Sequence, residues 1–204
     1  IYGWGAQARQ EVEKRFKVVA REGYGMTEIG GGCIVPVAAT HMAHMRSCGL
    51  PAAFREFRIV NPEGHDVPEG EIGELWVSGR AILWGYYKRP QANAESFRGR
   101  WFRTGDLFRR DANGYCFIVG RIKDMIISGG ENVYSLEVEQ VLYTYPDVQE
   151  CAVVGIPDKE WGESVTAVIL PKPGRTIDEI GLKDFLKARL SAYKVPKRFF
   201  TVDD

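Results

Sequence analysis

Excess charge is the first thing this 204-residue sequence lacks. Its 27 Lys and Arg balance 27 Asp and Glu, so no long-range field draws the whole surface toward nucleic acid or an anionic membrane. Any bound anion must be held by local groups. No window approaches the roughly 18 apolar residues that a membrane-crossing helix needs, and the first residues show no charged-then-apolar pattern of a secretory leader. Cysteine is scarce: Cys33, Cys48, Cys116 and Cys151 stand far apart, with no C-x-x-C pair and no histidine-rich partner set. That spacing argues against a zinc site and against a disulfide framework, and free thiols in a reducing cytoplasm are expected. An initiator Met is missing too; "IYGWGAQARQ" opens in a strand-like stretch, as a piece of a longer polypeptide would. What the chain does have is 45% hydrophobic residues, enough to bury one large domain or two modest ones.

From Ala6 to Lys17, "AQARQEVEKRFK" has the spacing of a short amphipathic helix, and "KVVAREGYGM" after it reads as a strand entering a glycine-bounded turn. A strand that feeds a loop is where α/β sheets place ligands. Residues 32–54 show little periodicity, with Pro36, Gly49 and Pro51 among them. The texture then becomes all-β in "FREFRIV", "GEIGELWVSG" and "GYCFIVG", separated by the turn signals "NPEGHD" and "DANG".

After Gly120 it changes again. "DMIIS" is a short apolar strand and Gly129-Gly130 marks a turn. Ser135 is placed to cap a helix striped by Val138, Val141, Leu142 and Tyr145, with Glu137 and Glu139 at the end the dipole favours and Pro146 as its stop. Two strands, "VQECAVVGI" and "ESVTAVILP", precede a second helix carrying Leu182, Phe185, Leu186 and Leu190, and "RFFTV" closes as a strand. The order βαββαβ describes a small α+β unit with its helices on one face of a sheet. The predicted fold class is therefore mixed α+β, in two domains, 1–120 and 121–204.

Three islands suit chemistry: "EGYGMTEIGGG" (22–32), "GRWFRTGDL" (99–107) and "GRIKDMIISGGENVYSLEVE" (120–139). Each has a plain structural explanation alone: a turn capped by Thr27, a type I turn at "RTGDL", and a hairpin at "GGEN". Together they fit a nucleotide. Thr27 and Glu28 in a glycine-flanked loop can serve a phosphate oxygen and its Mg²⁺, since hard cations take oxygen ligands. Asp106, held by a tight turn, can accept from both hydroxyls of a ribose. Arg121 is always charged and fork-shaped, which suits ribose or phosphate oxygens. Tyr24 offers either a flat face for a purine or a packed core ring.

In this order, "YGMTE", "GELWVSG", "WFRTGDL", "GRIKDMIISGGENVY", "VVGIPDKEWGE" and "YKVPKRF" resemble the second half of the AMP-forming acyl-CoA synthetases. These belong to the adenylate-forming superfamily shared with luciferases and nonribosomal adenylation domains. The resemblance covers essentially the whole chain. It implies the C-terminal part of the large adenylate-forming domain, a strand and loop plus a distorted β-barrel, followed by a small α+β lid domain. It implies ATP or AMP, Mg²⁺ and coenzyme A as cofactors and a carboxylic acid as substrate. Tyr24 and Gly25 would border the adenine, Thr27 would meet the phosphate, and Glu28 would hold Mg²⁺. Asp106 would bind the ribose hydroxyls and Arg121 would sit near ribose and phosphate. Lys123 matches the hinge on which the small domain swings, and Gly129, Gly130 and Glu131 would line the pantetheine tunnel.

"IISGGENVYSLEVE" is similar to the acyl-CoA synthetase form rather than the "KIRG-x-RIE" type of peptide-synthetase domains, which favours CoA over a carrier-protein acceptor. The alternatives are a carrier-loading adenylation enzyme and a non-catalytic binding relative. Ser135 departs from the proline usual in the family, and "EIGGG" departs beside the expected acyl pocket. No Ser/Thr/Gly-rich phosphate loop ending in Pro-Lys occurs, and the catalytic lysine that follows the "RFFTV" strand in the family is not met before Asp204. The 204 residues alone are accordingly expected to bind AMP weakly at most and to make no acyl-CoA. Lys194 and Lys197 are expected to be solvated surface charges.

Overall fold

The computed structural model describes residues 6–20, 23–34 and 47–203. They fall into two compact units, Ala6–Ile122 and the residues from Lys123 onward. The strand-like stretch expected at the N-terminus, and the middle of the irregular 32–54 segment, lie outside the described residues.

The first unit starts with helix α1 (Ala6–Phe16), which ends on Lys14 and Arg15, cations that favour a helix C-terminus. Strands β1 (Gly23–Met26) and β2 (Gly30–Ile34) form a hairpin, and β3 (Leu50–Pro51) adds to β2. Among the described residues of the expected "KVVAREGYGM" strand, "GYGM" is a strand and residues 18–20 have no regular structure. A second sheet holds β4 (Arg55–Val60), β5 (Gly73–Gly79), β6 (Phe97–Arg98), β7 (Trp101–Arg110) and β8 (Cys116–Arg121). Strand β7 is central. It pairs with β5 on one side, while β6 and β8 pair with its two ends, Phe97 facing Phe102 and Arg110 facing Cys116. The sheet is open among the described residues, because β4 pairs only with β5; the expected distorted barrel is not closed here. Helix α2 (Pro90–Ser96), with Pro90 opening it, joins β5 to β6 and was not legible as a helix.

One core serves both sheets: Tyr24 and Ile29 lie among Ile59, Leu75, Val77, Phe102, Phe108 and Cys116. Fully buried residues of this size each stabilise the fold by about 1.5–3 kcal/mol before the entropy of ordering is counted. "RTGDL" is not a free-standing turn; it is the middle of ten-residue β7.

In the second unit, β9 (Met125–Ser128) and β10 (Glu131–Tyr134) form a hairpin. Its two-residue turn, Gly129 at φ +62° and Gly130 at φ +85°, has the two left-handed residues of a type I′ turn, whose twist matches the strands it joins. Helix α3 (Ser135–Leu142), β11 (Val148–Asp158), β12 (Gly162–Pro171), α4 (Glu179–Lys187) and β13 (Arg198–Thr201) follow. Strands β11 and β12 pair antiparallel along their whole length. Strand β13 returns parallel to β12, Thr166 facing Arg198, the direction that a helical crossover such as α4 allows. Asp178 caps α4 by accepting from Ile180 N–H at 3.2 Å. Val138 and Leu142 of α3 and Leu182 and Leu186 of α4 enter one core with Ile126, Val133, Val153, Val165, Ala167 and Ile169.

Three expectations need correction. The order is ββαββαβ rather than βαββαβ, because "ENVY" pairs with β9; four residues with one buried side chain, Val133, are too short to show alternation. Ser135 is the first helical residue, not the cap; Tyr134 takes the cap position without a side-chain hydrogen bond. Position N1 is where proline is favoured, since its missing N–H would be unpaired anyway, so serine at the family's proline position needs no capping role. Neither Lys194 nor Lys197 is a solvated charge. The Lys194 side chain is 16% exposed and Nζ donates to both Glu137 oxygens at 2.8 and 2.7 Å. Lys197 Nζ is buried 3.0 Å from the Trp161 ring centre and makes no hydrogen bond. Both partners are distant in sequence, so local pattern could not reveal them.

Candidate functional site

In the first unit, Thr27, Glu28 and Ile29 make the turn between β1 and β2, closed by Ile29 N–H to Met26 O at 3.1 Å. Ile29 is fully buried and anchors the turn, while Arg55 donates to its carbonyl at 3.2 and 3.3 Å. Thr27 is thereby left exposed and Glu28 half-buried. Gly25 is needed where β1 and β2 approach: a Cβ there would lie 2.5 Å from Gly30 O.

The segment after β5 straps the turn from outside. Leu83 N–H donates to Glu28 O at 2.8 Å, and the Tyr86 hydroxyl donates to Glu28 Oε1 at 3.0 Å. Tyr86 is held by Asn93 of α2, whose side chain accepts from Tyr86 N–H at 2.7 Å and donates to its carbonyl at 3.0 Å. Burial first, and then the Glu28 carboxylate it bonds, push the Tyr86 phenol above its ordinary pKa. Sequence reasoning missed both residues. Nothing in the local sequence around Tyr86 points across 58 positions to Glu28.

Asp106 stands near the middle of β7, opposite Arg121 of β8. Its residue exposure is 9%, and its Oδ2 accepts from the Tyr24 hydroxyl at 2.7 Å while Oδ1 lies 3.6 Å from Arg121 Nε. The structure therefore brings Tyr24, Asp106 and Arg121 into one cluster. Tyr24 contributes its hydroxyl rather than an open face, because its ring is buried edge-on to Phe108 at 4.8 Å between centroids. Glu74 of β5, facing Leu107 of β7, is buried and accepts from Trp76 Nε1–H, Arg103 Nε–H and Gly105 N–H. Sequence reading passed over it. The available signal was a carboxylate inside the apolar run "GELWVSG", a residue type that is rarely buried unless paired.

In the second unit, Gly129, Gly130 and Glu131 form the tip and first residue of the β9–β10 hairpin. Trp161, in the turn between β11 and β12, backs the tip: Gly129 N–H donates to Trp161 O at 2.8 Å, and a Cβ on Gly129 would lie 2.8 Å from the indole. Lys123 is exposed in a single 3₁₀ turn, Ile122–Asp124, between β8 and β9. No cluster of three or more His, Cys, Asp or Glu able to hold a metal occurs among the described residues. A lone carboxylate such as Glu28 still suits Mg²⁺, which commonly takes one or two carboxylates together with substrate phosphates. Among the described residues no helix is long and apolar enough to cross a membrane.

Residues 1–87 match the AMP-binding enzyme family, and residues 137–204 match the AMP-binding enzyme C-terminal domain. The chain belongs to the AMP-binding enzymes. The chain is 48% identical over 176 residues to a feruloyl-CoA synthase of Amycolatopsis sp, covering 86% of its own length and 36% of that protein. It is 39% identical to the indoleacetate–CoA ligase of Aromatoleum aromaticum, covering 94% of its own length and 39% of the relative. Among solved structures it superposes on ATP-bound MatB from Rhodopseudomonas palustris with a TM-score of 0.90 at 36% identity, covering 98% of this chain and 40% of that one. The o-succinylbenzoate CoA synthetase of Bacillus subtilis, in complex with its acyl-adenylate intermediate, gives 0.87 at 34% identity, with coverages of 97% and 40%. The chain thus spans about two fifths of the length of the proteins it matches.

Proposed function

We propose that the protein carrying this chain is an AMP-forming carboxylate–CoA ligase, which joins a carboxylic acid to ATP with release of pyrophosphate and passes the acyl group from the adenylate to the thiol of coenzyme A. The observation that carries the proposal is the Tyr24–Asp106–Arg121 cluster, a buried carboxylate presented beside a guanidinium in a chain whose relatives are named as CoA ligases. Asp106 accepts the ribose hydroxyls, an acceptor made strong by its charge and aimed by its bond from Tyr24. Arg121 offers donors to ribose and phosphate oxygens. Thr27, exposed on the turn, donates its hydroxyl to the phosphate, and Gly25 lets the backbone pass close to the adenine.

Glu28 holds Mg²⁺, oriented by Tyr86 as outer hydrogen bonds orient ligating carboxylates. When bound, the ion supplies positive charge to phosphate oxygens. In the second unit Gly129 and Gly130, with Glu131 beside them, leave a backbone free of side chains past which the thin pantetheine arm runs. Lys123 is the hinge residue, and the cytoplasm is the proposed setting.

The test is ATP–pyrophosphate exchange and thioester formation by the complete polypeptide over a panel of hydroxycinnamic, indoleacetic, succinylbenzoic and fatty acids. One acid should drive both exchange and CoA thioester formation. Acid-dependent exchange followed by transfer only to a phosphopantetheinylated carrier protein would move the acceptor to that carrier. Absence of exchange with every acid would overturn the proposal.

A further inference from the structure

Glu74 sits in a strand whose first six residues are all buried, where an apolar side chain would pack without the cost of desolvating a charge. Its partners explain why a carboxylate is there. Oε2 accepts from Trp76 Nε1–H at 2.9 Å and Arg103 Nε–H at 3.1 Å, and Oε1 accepts the main-chain N–H of Gly105 at 3.2 Å. The pairing of β5 with β7 shifts at this point: Glu74 faces Leu107, but Trp76 faces Arg103. Thr104, Gly105 and Asp106 therefore stand opposite the single residue Leu75, and the β5 side of this stretch loses its regular pairing, as at a bulge.

Side chains take the place of the missing strand partners. The Thr104 hydroxyl donates to Leu75 O at 2.8 Å and accepts Asp106 N–H at 3.1 Å. The N–H of Gly105 goes to Glu74. Every one of these bonds fixes the backbone from which the Asp106 carboxylate projects, and a buried N–H cannot be left unpaired without cost.

We propose that Glu74 is a positioning residue for the Asp106 carboxylate, holding the Gly105 amide and the Arg103 guanidinium so that the bulge keeps one shape. The inference rests on the assignment of Asp106 to the ribose made above. Glu74 touches neither nucleotide nor acid; it acts through the backbone of residues 104–106.

The readout is the ratio of dissociation constants for 2′,3′-dideoxy-AMP and AMP, measured by calorimetry on the complete polypeptide. This ratio reports only what the ribose hydroxyls contribute. For the unaltered protein it should be about tenfold or more, the size of hydrogen bonds to a charged acceptor, and Asp106→Ala should bring it close to one. Glu74→Ala and Glu74→Gln should each lower it by about threefold or more. Trp76→Phe, which removes a different donor from the same carboxylate, should leave it unchanged.

A ratio unaltered in the Glu74 variants while Asp106→Ala abolishes it overturns the inference and spares the ribose assignment. An equal fall in Trp76→Phe overturns it as well, since that would mean general loosening of β5. An unaltered ratio in Asp106→Ala removes the ribose assignment and this inference together. If Glu74→Ala does not fold, Glu74→Gln, which keeps the volume and one acceptor oxygen, decides alone.

Discussion

The hydroxyl of Tyr24 donates to Asp106 Oδ2 at 2.7 Å across 82 positions of sequence. It ties the first hairpin of the chain to the strand that carries the acidic residue. Tyr24→Phe keeps the ring against Phe108 and withdraws only that donor from a largely buried carboxylate. The variant should lose about 1.5–3 kcal/mol of unfolding free energy, the size of a hydrogen bond to a charged group, as measured by urea denaturation. A loss under about 0.5 kcal/mol, the range of surface substitutions, would show that the hydroxyl does not tie the two sheets together.

The same logic applies to Tyr86 and Glu28, joined at 3.0 Å. If Glu28 holds Mg²⁺, Tyr86→Phe frees the carboxylate to rotate without touching its charge. The Mg²⁺ concentration giving half-maximal pyrophosphate exchange should rise about tenfold, in line with losses of outer-shell partners, with little change in AMP affinity measured without metal. An unaltered Mg²⁺ requirement would leave Tyr86 as a strap on the turn and nothing more.

Much of this was legible because it is local. The strands "FREFRIV", "GEIGELWVSG" and "GYCFIVG" appear where alternation puts them, and the i, i+3, i+4 stripe finds the two amphipathic helices of the second unit, although α3 ends at Leu142 and α4 at Lys187, short of the expected Tyr145 and Leu190. The family segments likewise placed Thr27, Glu28, Asp106 and Arg121 as candidates. What failed was short or non-local. Strand β10 has four residues, α2 has seven, and neither presents enough periods to read. Glu74, Tyr86 and the buried ends of Lys194 and Lys197 gain their meaning from partners far along the chain, which no window of sequence contains.

The hairpin tip at Gly129-Gly130 separates two costs that are usually mixed. Both residues have φ in the left-handed region, so alanine at either should cost about 1–2 kcal/mol from backbone conformation alone. Around Gly130 a Cβ would meet nothing within 4 Å, whereas at Gly129 it would lie 2.8 Å from Trp161 Cε3. Gly129→Ala should therefore be the more destabilising in thermal unfolding. Adding Trp161→Ala should remove the excess in a double-mutant cycle. Equal costs at the two glycines would mean that the indole moves aside freely.

Lys194 links the 3₁₀ turn before β13 to the first turn of α3 through Glu137. Burial works against its charge, but the hydrogen bond and attraction of the Glu137 carboxylate outweigh it, and the ammonium pKa is raised above its usual 10.5. A raised folded-state value means that the bonus from the pair is fully present below pH 10.5 and is lost as pH rises through the folded pKa. Glu137 is 40% exposed, so water screens the pair and its worth at neutral pH should be about 1 kcal/mol or less. Tyrosines 134, 143 and 145, raised mainly by burial, also titrate at alkaline pH, which makes the absolute stability curve a poor test. The useful quantity is the gap in unfolding free energy between the unaltered protein and Lys194→Met, in which the tyrosine contributions largely cancel. That gap should stay constant from pH 7 to about 10 and close above it; a gap that widens with pH would show that Glu137 is not what holds the proton on Lys194.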